Sequence, residues 1–151
     1  MRVRRYRQQD RDAVLALAPR LTIGVAAWRD RAAVLHAAQR WVEDAITSTA
    51  DDHAVFVAEG PSGRPIGLVR VGQCAHFTGD ADGYVGELIV SAVHEGRGVG
   101  RALMAAAERW ARQRGLGRVT LETGAANTHA RAFYGRLGYV EEEVRLTKLL
   151  D

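Results

Sequence analysis

The period of the apolar positions changes several times along this chain, and each change predicts an element. Residues 1–7 alternate loosely between apolar and basic side chains and predict a first strand. Asp10 or Asp12 then offers an N-cap for a helix whose buried stripe is Val14, Leu15, Leu17 and Ala18, and Pro19 with Thr22, Ile23 and Gly24 ends it. From Trp28 the spacing becomes three and four residues. Trp28, Ala32, Leu35, Ala38, Trp41, Val42, Ala45 and Ile46 share one face of a long second helix, with His36, Arg40 and Glu43 on its solvated side.

Beyond residue 52 the pattern changes to short apolar runs. Residues 54–58 and 66–71 flank the turn Gly60-Pro61-Ser62-Gly63 and predict an antiparallel hairpin; a third run, 84–90, follows a second turn at 78–83. Leu88, Ile89 and Val90 end that strand. The glycine-rich stretch Glu95-Gly96-Arg97-Gly98-Val99-Gly100-Arg101 then opens a helix carrying Val99, Leu103, Ala106 and Trp110 on one face, which Gly115 and Gly117 terminate. Residues 119–122 form the next strand, and a strand–helix–strand order calls for a parallel crossover beside the antiparallel meander. A last helix over 128–137 stops at Gly138, and 139–150 is expected to close the chain as an extended strand. The whole predicts a single α/β domain over residues 1–151, with a mixed, mostly antiparallel central sheet flanked by about four helices.

Composition changes this picture little. The chain is 47% hydrophobic and 26% charged, as expected of an ordinary globular domain, and no apolar run reaches the roughly 20 residues that span a bilayer. It is therefore expected in the cytoplasm, without a membrane partner. The net charge of +3 comes with acidic residues interleaved throughout, so no nucleic-acid partner is expected. The lone Cys74 allows no internal disulfide and no cysteine metal cluster, and no metal is expected.

The glycine stretch carries the first candidate chemistry. Gly96, Gly98 and Gly100 let the backbone take positive φ and let consecutive N–H groups converge, and the helix start adds its unpaired N–H groups and positive dipole end. Such a nest binds an anion, with phosphate or pyrophosphate the natural guest and Arg97 and Arg101 supplying charge. The spacing matches neither of two better-known phosphate loops. G-x-G-x-x-G counted from Gly96 lands on Arg101 and from Gly98 on Leu103, and the one lysine, Lys148, is far from any Gly-Lys-Ser/Thr ending.

Taken with Asn127…Ala130…Phe133-Tyr134…Leu137-Gly138-Tyr139 one strand later, the loop closely resembles the GNAT family of N-acetyltransferases, over nearly the whole chain. That family's loop reads Gln/Arg-x-x-Gly-x-Gly/Ala; Gly98 and Gly100 match, and Glu95 stands at the Gln/Arg position. The resemblance implies acetyl-CoA as co-substrate, its pyrophosphate in the loop from Glu95 to Arg101. Its pantetheine arm would run as an added strand along Leu88, Ile89 and Val90, and a backbone N–H near Val90 would polarise the thioester carbonyl. It also implies cofactor contacts from Asn127, Arg131 and Tyr134, with Tyr134 as the acid that protonates the departing thiolate and Glu87 as the carboxylate that accepts the amine proton. Beside these roles stand a helix N-cap for Asn127, a core aromatic for Tyr134, a structural hydrogen bond for Glu87, and a small buried residue for Cys74.

The resulting expectation is acetyl transfer from acetyl-CoA to a primary amine, with a non-catalytic acyl-CoA-binding module as the alternative. A small-molecule amine is favoured over a protein acceptor, in a groove walled by residues 21–41, His76 and Tyr84, where Asp80, Asp82 and Glu87 are the acids near the mouth. A homodimer is expected from the exposed edge of a closing strand at 144–150.

Overall fold

The computed structural model describes residues 1–150. Five strands form one sheet in sequence order: β1 (Arg2–Arg5), β2 (His53–Glu59), β3 (Pro65–Ala75), β4 (Ala81–Val90) and β5 (Val119–Leu121). The first four are antiparallel and β5 is parallel to β4. The helices are α1 (Arg11–Leu15), α2 (Arg31–Thr47), α3 (Val99–Gln113) and α4 (Thr128–Arg136). Short 3₁₀ turns at Gln8–Asp10, Ala18–Thr22 and Ala92–His94 join them. This is the expected α/β architecture.

Side chains alternate across the sheet, and each face has its own core. On one face Val55, Val57, Leu68 and Ile89 pack against Val14, Leu17 and Ala18 and against Val42 and Ala45 of α2. On the other, Ala54, Val69, Val71 and Val85 pack against Val99, Leu103, Met104, Ala107 and Trp110 of α3, with Phe133 and Tyr134 of α4 at the margin. Gly115, at φ 72°, ends α3 in the left-handed conformation, and the Leu116 N–H reaches back to the Ala111 carbonyl at 3.0 Å.

Several expectations are corrected. The first helix stops at Leu15, and Ala18 to Thr22 tightens into a 3₁₀ turn, because Pro19 has no N–H to continue the α ladder. Asp10 occupies the N-cap position but does not cap. Its carboxylate is taken by the buried Arg4 guanidinium at 2.6 and 2.9 Å and by the Arg7 N–H at 2.8 Å. α2 begins only at Arg31, behind the Asp30 cap, so Trp28 lies in the turn before it; on the helix only Ala38, Val42 and Ala45 are buried, and Trp28 and Trp41 are about half exposed. The turn before β4 is shorter than expected, and Asp82 and Gly83 already belong to the strand. Residues 139–150 form no strand, and Val140, Val144, Leu146 and Leu150 lie at the surface.

Candidate active site

β4 and β5 pair only at Gly83–Val119, Tyr84–Thr120 and Val85–Leu121, and beyond that point β4 continues paired with β3 alone. The Ser91 N–H bonds to the Ile66 carbonyl of β3 at 2.9 Å. Backbone groups alternate sides along an antiparallel ladder, so the N–H groups of Leu88 and Val90 face the side that β5 has left. Two strand N–H groups thus line an open slot. A peptide-like ligand can complete such an edge as an added strand.

At the end of this slot lies the glycine cradle. Gly98 is the N-cap of α3 with φ 80°, and Gly96 has φ 71°. Only glycine takes this conformation without strain. A Cβ built on either residue meets nothing within 4 Å, so the cradle opens outward, and no side chain caps the first turn of α3. Arg97 and Arg101 are exposed beside it. The free N–H groups at the N-terminus of a fifteen-residue helix suit a pyrophosphate. Gly100 does a different job from the one expected. It lies inside α3, and a Cβ there would press on the Phe133 ring at 3.1 Å, so it makes room for α4 rather than shaping the loop. Glu95, whose position departs from the family pattern, pairs with Arg20 of the 3₁₀ turn.

The bulge in β4 creates the second half of the site. Arg70 of β3 is paired with Glu87, and Val71 with Val85, so Gly86 is the extra residue. A Cβ on Gly86 would meet the Arg70 Nη1 at 3.1 Å; glycine lets the guanidinium lie over the bulge. Glu87, on the same face as Ile89, has one carboxylate oxygen buried with no hydrogen-bond partner. Burial pushes its carboxyl up to about 7; Arg70 opposes that shift and Asp44 of α2 adds to it. The structural hydrogen bond that was the other reading of Glu87 is therefore not made by its buried oxygen. Arg70 and Asp44, which tune this group, carried no signal in the sequence, since only the strand register and the helix packing bring them to residue 87.

Tyr134 sits on the opposite face, in the cluster that includes Leu88 and Val90. Its ring stacks edge-on against Phe133 at 5.1 Å and Tyr139 at 5.8 Å. Burial alone pushes its phenol up to about 12, so it keeps its proton at neutral pH. The half-buried phenol and the half-buried carboxyl thus lie on opposite faces of the sheet.

The other candidates are placed as follows. Asn127 is the N-cap of α4: its side-chain oxygen accepts the Ala130 N–H at 3.1 Å, while its amide donates to the Ile23 carbonyl at 3.3 Å. Arg131 is joined to Glu141 and donates to the Ala125 carbonyl at 3.3 Å. Cys74 is half buried on β3, its thiol pushed up by burial. Tyr84 is half buried with its phenol also raised by burial, then by the nearby Glu122 and Glu87. Asp80 and Asp82 are both paired with Arg118 at 2.8 Å, at the start of β4, whereas Glu87 lies toward its other end. No helix among the described residues is long and apolar enough to cross a membrane.

Comparison with known proteins gives the family and the fold. The profile of the acetyltransferase (GNAT) family matches residues 22–139. An uncharacterized N-acetyltransferase of Methanocaldococcus jannaschii is 36% identical over 97 residues, which is 62% of this chain and 42% of that protein. Streptothricin acetyltransferase of Streptomyces lavendulae is 33% identical over 100 residues, 64% of this chain and 50% of its own. The chain spans about half the length of these curated relatives. Among solved structures, a putative acetyl transferase from Pyrococcus furiosus superposes with a TM-score of 0.79 at 18% identity, over 99% of both chains. An aminoglycoside 6'-N-acetyltransferase from Acinetobacter haemolyticus superposes with a TM-score of 0.69 at 17% identity, over the full length of both. At such identities the likeness carries the fold.

Proposed function

Since this chain belongs to the GNAT acetyltransferase family, we propose that it transfers the acetyl group of acetyl-CoA directly to the primary amine of a small molecule. The observation that carries this reading is an unpaired strand edge that ends in an anion cradle, with an elevated carboxyl on β4 and a protonated phenol in the core of the opposite face of the sheet. The pyrophosphate fits the N–H groups around Gly98, and the amides of pantetheine fit those of Leu88 and Val90.

The chemistry follows from the two faces. An alkyl amine has a pKa of about 10.4 in water and arrives protonated, so a base must free its lone pair. Glu87, ionised above about pH 7, accepts that proton directly or through water. The nitrogen then attacks the thioester carbon, and the Val90 N–H stabilises the oxyanion. Collapse breaks the carbon–sulfur bond as Tyr134 delivers its proton to the thiolate, and the second proton on the amide nitrogen leaves through water and restores the phenol. A small-molecule acceptor is favoured by the streptothricin and aminoglycoside acetyltransferases among the related proteins. A module that only bound acyl-CoA would leave the unpartnered Glu87 oxygen without a task. Thiol release from acetyl-CoA, measured across a panel of aminoglycosides, streptothricin, polyamines and amino acids, tests the proposal: turnover with at least one small amine supports it, and binding of acetyl-CoA without turnover favours the module.

A further inference from the structure

Glu95 puts a carboxylate directly before Gly96, at the mouth of a cradle whose backbone is arranged for an anion. Left alone, that charge would repel a pyrophosphate. The fold answers it from a segment 75 residues earlier: Arg20 pairs with Glu95 through one terminal nitrogen, while its Nε is buried without a partner. The position of Arg20 does not depend on the cradle. Its 3₁₀ turn is anchored by Leu17 and Ala18 in the core, and the chain just after it is held by the Asn127 amide on the Ile23 carbonyl and by close packing of Gly24 against Gly124 and Asn127. The guanidinium is thus delivered to Glu95 from an independently fixed element.

We propose that Arg20 is a charge-compensating residue of the cofactor site, cancelling Glu95 so that the glycine cradle accepts the pyrophosphate of acetyl-CoA. This rests on the reading of the cradle as the acetyl-CoA site. An alternative role, a tie that only holds the 3₁₀ turn against the loop, uses the same contact and makes a different demand. A tie is broken equally by losing either partner, whereas compensation makes loss of Arg20 harmful and loss of the Glu95 charge harmless or helpful. The pair is partly exposed, with side chains 30% and 44% accessible, so the effect is moderate and sensitive to salt.

Titration calorimetry of acetyl-CoA against the folded parent and four variants decides between them. Arg20→Ala weakens binding about tenfold at low salt, a loss that shrinks in 0.5 M salt as an unscreened charge requires. Arg20→Lys, which keeps the charge, stays within about threefold of the parent, and Glu95→Gln binds as the parent does or more tightly. The double variant Arg20→Ala with Glu95→Gln returns to within about threefold of the parent, the rescue that separates compensation from a fold defect. Equal weakening by Arg20→Ala and Glu95→Gln, or an Arg20→Ala variant with parental affinity, overturns the inference while the acetyl-CoA reading survives. A parent that does not bind acetyl-CoA overturns both.

Discussion

The carboxyl of Glu87 titrates at about 7 in the fold against its ordinary 4.5, because burial disfavours its charge. Folding therefore favours its protonated form. The stability this contributes is complete below about pH 4.5, declines as pH rises, and is gone above about 7. Glu87→Gln cannot ionise, so its melting temperature exceeds the parent's at pH 8 and matches it near pH 4; scanning calorimetry at the two values reads the difference. The same variant loses the rise of kcat/KM through about pH 7 that an ionising base produces. Tyr134 is tested by removing one atom. Tyr134→Phe keeps the ring stacked between Phe133 and Tyr139 and deletes the proton donor, so kcat falls roughly 10²-fold with acetyl-CoA affinity nearly unchanged. Steady-state kinetics and calorimetry on one preparation check both halves.

The elements explain why residues that look alike in the sequence differ in the molecule. Gly96 and Gly98 lie at positive φ before α3, whereas Gly100 lies within it under the Phe133 ring. Gly98→Val forces a β-branched residue into the left-handed region at the helix N-terminus and fills the open side of the cradle, so acetyl-CoA binding weakens at least tenfold while α3 remains anchored by Leu103, Met104 and Trp110. Gly100→Val disturbs the contact between α3 and α4 instead, and its signature is a lowered melting temperature. Calorimetric affinity and thermal unfolding, measured together, separate the two glycines.

On the scale of the whole molecule the N-terminal strand is fastened by one ionic cluster. Arg4, 8% exposed, is held by Asp10 and by Glu59 at 2.5 Å, tying β1 to the turn before α1 and to the end of β2. The guanidinium holds the Asp10 carboxyl below its usual range, so the cluster stabilises the fold above the ordinary aspartate pKa and weakens as pH falls below it. Asp10→Ala leaves a buried guanidinium with half its partners and costs about 3 kcal/mol, read from the urea midpoint at pH 7. The dimer expected from a closing strand loses its motive, because residues 139–150 add no strand to the sheet and β5 is its last member.

What the sequence determined by itself was the set of local features: the hairpin, the crossover, the α3 stripe and the glycines at its start. Each depends on spacing and backbone freedom over a few residues, and so did Asn127 as the cap of α4. Candidate positions such as Glu87 and Tyr134 were legible through motif resemblance. Their environments were not. Only the strand register set Arg70 opposite Glu87, only the packing of α2 brought Asp44 within reach of it, and only the path of the Ala18–Thr22 turn carried Arg20 to Glu95. Tertiary structure also ended the apolar face of α2 early and left residues 139–150 without a strand, because burial requires a partner surface as well as a pattern. Charge and desolvation act through space, and residues 17, 43 or 75 positions apart become neighbours only once the sheet has formed.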